Sequence, residues 1–281
     1  MPRGLCLTEK GKPRPGRGRT VKRVFENRGI TYNIQRKYQL HIDGEGVRYQ
    51  SANGKKSLDI KFAELGSIFL LTYCSSNQDY LVTFRDSEGK DIGEIHTDVL
   101  ADDGCHNVRE TKSLLIAHAE SKLPRSFPDN LDSLNMKIAF SLAEKEISIK
   151  DGILIGAKHQ VKLSEIRRVK CGTNGTLSYL TVHTKDKGGF LDLPDMKVPV
   201  NELTLPILEA VLARNTGKVI DFSRGNGFDQ KTCEFVLIRY MNSTFFENED
   251  GSVTDDWHRT AYDHIHSYHA DIVIPEDGLE L

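Results

Sequence analysis

The feature that most constrains the fold is an internal repeat: one order of strands, turns and helix runs through the chain twice, from Leu40 to Ala119 and again from Ile147 to Leu212. In the first pass Leu40, Ile42, Val47 and Tyr49 alternate about Asp43-Gly44-Glu45-Gly46, the pattern of two antiparallel strands with one solvated face. The glycines of that turn are expected to supply positive φ. Asn53-Gly54, the alternating sets Leu58/Ile60/Phe62, Ile68/Leu70/Thr72 and Tyr80/Val82/Phe84, then Ser87-Glu88-Gly89 with Ile92 and Ile95, continue the meander. It ends in a helix expected over 108–122, with Asn107 and Glu110 spaced as an N-cap pair and Leu114, Leu115, His118 and Ala119 on one face.

The second pass keeps the order and many side-chain types. Ile147, Ile149, Ile153 and Ile155 about Asp151-Gly152 answer the first hairpin. Val161-Lys162-Leu163-Ser164-Glu165-Ile166 answers Ile60-Lys61-Phe62-Ala63-Glu64-Leu65, and Tyr179-Leu180-Thr181-Val182-His183 answers Tyr80-Leu81-Val82-Thr83-Phe84. Asp186-Lys187-Gly188-Gly189 stands for Ser87-Glu88-Gly89-Lys90. A second helix over 204–215 carries Ile207, Leu208, Val211 and Leu212 on one face and stops at Gly217, a normal C-cap. A length of 281 residues suits two cores of this size.

Such a run of antiparallel strands closed by one C-terminal helix resembles the pleckstrin-homology-like (PH-like) fold, here in tandem. Simple bacterial members are particularly similar: a hairpin such as Ile147 to Ile153, turning at Asp151-Gly152, is followed by a step such as Leu163-Ser164-Glu165-Ile166. The resemblance implies a mainly β (α+β) protein with two strongly bent antiparallel sheets, each plugged by its helix, though a closed eight-stranded barrel or two small sandwiches fit the same pattern. The expected boundaries are a basic disordered arm at 1–28, PH-like units at 29–124 and 133–218, and an acidic extension at 219–281. In that extension Cys233 to Met241 and Asp271 to Ile274 read as strands, and Asp255 to His269 as a helix.

Charge is concentrated in the flanks. Residues 1–37 carry 11 Lys/Arg against 2 Asp/Glu, and residues 220–281 carry 4 against 13, although the whole chain has a net charge of −2. This asymmetry concerns partners rather than fold. No apolar run approaches the ~20 residues that span a bilayer, and no secretory signal pattern opens the chain, so the expected compartment is the cytoplasm. Cys6, Cys74, Cys105, Cys171 and Cys233 are odd in number, widely spaced and without Cys-x-x-Cys, which suits free thiols in strands or cores.

Motifs for catalysis are scarce. His264-Ile265-His266-Ser267-Tyr268-His269 resembles the histidine string of metallo-β-lactamase-like hydrolases, and with His258 it is the candidate metal cluster. Tyr268 stands where that family carries Asp. On a helix His264 and His266 point about 200° apart, so a solvated helix face is the expected reading. Asp255-Asp256 suits a helix N-terminus and Gly225-Asn226-Gly227 a turn, and no nucleophile elbow, phosphate loop or His-Glu-x-x-His occurs. His118 is expected to be a hydrogen-bonded histidine of the first helix rather than a ligand.

The expectation is therefore a non-enzymatic scaffold without cofactor, binding a protein partner through its tandem units by strand addition or helix docking. The alternative is an anionic-ligand binder for lipid or nucleic acid, acting through residues 10–37 and hairpin cations; tandem PH-like units with acidic tails also occur in histone chaperones. No aromatic residue interleaves residues 1–24, so base stacking has no platform there. Resemblance to phosphoinositide-binding members places Arg36, Lys37, Arg48, Lys55 and Lys56 near the ligand position of the first unit and Lys145, Lys150 and Lys158 in the second, though the Lys-x(n)-Arg-x-Arg pattern is absent from both. Arg167, Arg168 and Lys170 form a further candidate basic patch.

Overall fold

A computed structural model describes residues 25–26, 29–34, 36–72, 80–98, 109–141, 144–173, 178–188 and 192–221. The arm up to residue 24, the expected elements between Cys233 and Ile274, the histidines His258, His264, His266 and His269, and every cysteine but Cys171 lie outside the described residues. Cys171 is buried and in no disulfide.

The first half runs β1 (Ile30–Ile34), β2 (Tyr38–Ile42), β3 (Gly46–Ser51), β4 (Ser57–Lys61), β5 (Leu65–Thr72), β6 (Tyr80–Asp86), β7 (Asp91–Thr97) and α1 (Arg109–Lys122). The second runs β8 (Met136–Ser141), β9 (Lys145–Lys150), β10 (Ile153–Ile155), β11 (Gln160–Lys162), β12 (Arg168–Thr173), β13 (Ser178–His183), β14 (Met196–Pro199) and α2 (Thr204–Thr216). Each half makes a four-stranded and a three-stranded antiparallel sheet, ordered β1-β2-β3-β4 with β5-β6-β7, and β8-β9-β10-β11 with β12-β13-β14. The molecule is mainly β, its sheets do not close into a barrel, and the element order of the halves is the same.

The repeat is visible at the level of single turns. Phe62–Glu64 and Leu163–Glu165 both form one 3-10 turn between the sheets, with Phe62 and Leu163 buried at its start and Leu65 and Ile166 buried just after it. Asp151 and Gly152 both take positive φ (50° and 73°), the two-residue hairpin geometry that matches strand twist.

Register corrects the sequence reading at three places. Ile149 pairs with Leu154 as Ile42 pairs with Val47, so the buried residue of β10 is Leu154, with Ile153 and Ile155 beside it. Val82 opposite Leu70 corresponds to Leu180 opposite Cys171, one residue off the alignment that set Val82 against Thr181. A slip of one residue exchanges the faces of a strand, and Leu180 and Val182, not Thr181, enter the core. At Asp43-Gly44-Glu45-Gly46 neither glycine has positive φ; the Asp43 carboxylate shapes the turn by accepting from the amides of Glu45 (2.9 Å) and Gly46 (3.0 Å).

Both helices are buried well beyond one face. Every α1 residue from Ser113 to Glu120 is buried, so the expected apolar face is only part of its contact surface. The N-terminus of α1 also receives a capping carboxylate that the sequence did not mark. Asp98 at the end of β7 accepts from the amides of Glu110 (3.1 Å) and Thr111 (2.9 Å), while Asn107 lies outside the described residues. Gly217 closes α2 in the left-handed region, its amide reaching the Ala213 carbonyl at 2.8 Å. A single hydrophobic cluster includes side chains of both halves.

Candidate functional site

One end of the first four-stranded sheet gathers four of the five cations expected in the first unit. The β1–β2 turn carries Arg36, which takes positive φ (60°), and Lys37, whose amide reaches the Ile34 carbonyl at 3.0 Å. The β3–β4 turn is ordered by Asn53, whose Oδ1 accepts from Ser51 Oγ (2.9 Å) and the Lys55 amide (3.0 Å), and by Ser51 Oγ, which accepts from the Lys56 amide (2.9 Å). The amide of Ala52 donates to the Lys37 carbonyl at 2.8 Å and ties the two turns together. Arg36, Lys37, Lys55 and Lys56 are thereby held, exposed, at one end of the sheet. An open groove of about 590 Å³ lies at this end, lined by Asn33, Ile34, Tyr38, Gln39 and residues 50–54, with no carboxylate in its lining.

Arg48 is not part of this tip. It sits at the opposite end of β3, where its guanidinium donates to Asp43 (3.2 Å). Among the second-half candidates, Arg167 donates to the Asn215 carbonyl (3.2 Å), and Arg168 grips Asp192 with both terminal nitrogens (2.9 and 2.7 Å). Lys170 also donates to Asp192. These hydrogen bonds hold the Asp192 carboxyl far below the usual carboxylate range, so the strand cations face an internal anion.

The equivalent tip of the second half also exposes Lys145 and Lys158, but it is built around a buried carboxylate. Glu144 occupies the place of Lys37, and its carbonyl accepts from the Ala157 amide (2.9 Å) as Lys37 accepts from Ala52. Its carboxylate draws in the amides of Lys158 (2.9 Å) and His159 (3.2 Å) and bonds the His159 ring. Burial opposes ionisation there, but those hydrogen bonds outweigh it and lower the carboxyl below its ordinary value. One copy therefore presents four cations at this tip, and the other presents two beside a buried anion.

Two polar clusters were not foreseen. Asp98 and Glu110 lie buried where β7 meets α1, with the Tyr38 hydroxyl donating to Glu110 and the Asp98 amide reaching Glu110 Oε2 at 2.8 Å. On the exposed side of the first sheet, Thr31 Oγ1 lies 2.8 Å from His41 Nδ1, and His41 Nε2 lies 3.3 Å from Asp43. The order hydroxyl, imidazole, carboxylate is that of a catalytic triad. Here Thr31 and His41 face each other across neighbouring strands and Asp43 also holds two turn amides and Arg48, so the set forms a cross-strand ladder. Among the described residues no three His, Cys, Asp or Glu side chains converge as metal ligands, and no helix is long and apolar enough to cross a membrane.

His118 is fully buried and donates through Nδ1 to Glu202 (2.7 Å), against the Phe62 ring, while its Nε2 has no hydrogen-bond partner. A single-sequence signal marked His118 but not its partner, which lies in the other half. No protein-family model matches the chain, and no curated protein matches it.

Proposed function

We propose that the protein is a non-enzymatic binding module of two PH-like copies, in which the cationic tip of the first meets the phosphates of an anionic membrane surface. The observation that carries this reading is the bond from Ala52 to Lys37, which brings cations from two separate turns to one end beside a groove free of carboxylate. A tip formed by two short turns suits a flat charged surface. The lining offers no exposed aromatic ring on which a base could stack, which favours lipid over nucleic acid. Each Lys or Arg near such a surface contributes about 1 kcal/mol, so four give roughly millimolar attachment. Cations among residues 1–24 would add to it; the chain from Phe25 is tied into the core.

Sedimentation with phosphatidylcholine vesicles, with and without about one third phosphatidylserine, tests the reading. The expected result is retention only on the anionic vesicles, falling with salt, lost in a Lys55→Glu/Lys56→Glu variant and kept in Lys158→Glu. Equal retention on neutral vesicles, or indifference to the double reversal, would sink it. Preference for DNA over vesicles would move the ligand to nucleic acid.

A protein partner added to a sheet edge is a second reading, supported by a difference between the copies. In the second half, Asp221 lies parallel to the edge of β12: the Cys171 amide donates to its carbonyl (2.7 Å) and its amide to the Val169 carbonyl (2.9 Å). In the first half β5 is the corresponding edge; it pairs with β6 on one side, and no strand among the described residues pairs with its other side. Slowed amide exchange at Leu70 on adding a candidate partner is the expected sign. Unchanged exchange at β5 in a complex that does form would refute this mode.

A further inference from the structure

In both copies a side chain at the end of the last strand caps the closing helix and its own amide is bonded in return, but the groups differ. In the second, Asn201 Oδ1 accepts from the amides of Leu203 (2.9 Å) and Thr204 (2.7 Å), and Thr204 Oγ1 accepts in return from the Asn201 amide (2.9 Å). In the first, Asp98 takes the amides of Glu110 and Thr111, and the Glu110 carboxyl accepts in return from the Asp98 amide. A neutral amide in one copy thus does the capping that an ionisable carboxyl does in the other.

The first corner also places two acids together away from water. Asp98 is 5% exposed and Glu110 1%. Facing them are the Tyr38 hydroxyl from β2, Tyr49 from β3, and the hydroxyls of Thr97 and Thr111. Among the described residues no Lys, Arg or His is hydrogen-bonded or ion-paired to either carboxyl. Two ionised carboxylates so desolvated repel each other, and the favourable state leaves one of the two protonated.

We infer that Asp98 and Glu110 form a pH-sensitive latch, which ties the N-terminus of α1 to the end of β7 while the pair retains a proton and weakens when both acids are ionised. Burial first, and the nearby charge of Glu110 second, push Asp98 up to about 7 from 3.8, and burial also raises Glu110. The sign follows from linkage. A group that binds its proton more tightly in the folded state stabilises fully below its unfolded value. That stabilisation drains away as pH rises from about 4 and is gone once pH has passed through about 7.

The test uses the full chain and its Asp98→Asn variant, which installs the cap the second copy already uses. Unfolding equilibria are compared by urea denaturation at pH 5, 6, 7 and 8, and the Asp98 carboxyl is followed by carbon-13 NMR in the unaltered protein. The ratio of the two unfolding constants, wild type over variant, is expected to rise by up to tenfold per pH unit between pH 5 and 7 and then level off. Taking the ratio cancels other titrating groups such as Asp43, Glu144 and His183. The carboxyl is expected to titrate near neutrality, with exchange of the Glu110 and Thr111 amides accelerating in step. A ratio that does not change with pH, or an Asp98 carboxyl that titrates below pH 5, overturns the latch. If the variant fails to fold, the NMR titration of the unaltered chain decides alone.

Discussion

Gly46 and Gly54 flank β3, and each resists a side chain for a different reason. A Cβ on Gly46 would lie 2.1 Å from the Ile60 carbonyl oxygen, whereas one on Gly54 would meet nothing within 4 Å but would sit at φ +69°. Gly46→Ala must therefore push β4 off β3, while Gly54→Ala bears only left-handed strain. Urea denaturation is expected to show a loss of about 2–3 kcal/mol for the first and about 1 kcal/mol for the second. Asp43 invites a pH test. Although burial opposes ionisation, the amides of Glu45 and Gly46, with His41, lower its carboxyl below 3.8. Its contribution is present above the unfolded value and lost as pH falls through the folded one, so Asp43→Ala should cost about 1 kcal/mol at pH 7 and progressively less as pH falls below 3.8. The sequence marked this turn but assigned it to its glycines, because an Asx turn and a left-handed turn draw on the same residue types. Likewise the Tyr-Leu pair spelled in both copies pulled the alignment of β13 one residue out. Burial, not spelling, set Leu180 against Val82.

Both helices were legible in position, but only α2 was legible in what it buries. α2 reads true because Ile207, Leu208, Val211 and Leu212 mark its face and Gly217 its end, both local signals. Its cap, Asn201, is the local kind as well, and Asn201→Ala should lower stability by about 1 kcal/mol while Asn201→Asp largely preserves it at neutral pH. α1 is different. Ser113, His118 and Glu120 are buried with Leu114 and Leu115, and their partners are distant in sequence: Tyr32 meets Ser113 at 2.7 Å and the Phe25 amide meets Glu120 at 2.9 Å. No periodicity can announce a polar helix surface that is covered from elsewhere in the chain. A double-mutant cycle of Tyr32→Phe and Ser113→Ala is expected to return a coupling of about 1 kcal/mol. A coupling near zero would mean that the pair contributes nothing to holding β1 on α1.

Duplication raises the question of whether the halves behave as two bodies or one, and the buried contact from His118 to Glu202 bears on it most directly. It links α1 of the first half to the start of α2 in the second, with side-chain exposures of 0% and 4%. Desolvating such a pair is costly, so its intact form adds little net stability, but losing one member strands the other in the interior. The stranding is severe here because His118 Nε2 already lacks a partner. Glu202→Ala is expected to cost about 3–5 kcal/mol, and a His118→Leu/Glu202→Leu double variant to recover most of that. The mode of unfolding should change too. A shared cluster predicts one cooperative transition for the unaltered chain, monitored by circular dichroism and by proteolysis within residues 123–135 between the halves. Glu202→Ala should separate cleavage at that connection from global unfolding, because it removes a contact between the copies and leaves each sheet and its own helix intact. If cleavage and unfolding stay coincident in that variant, the halves are held by apolar packing alone and the pair serves only to fix how they meet.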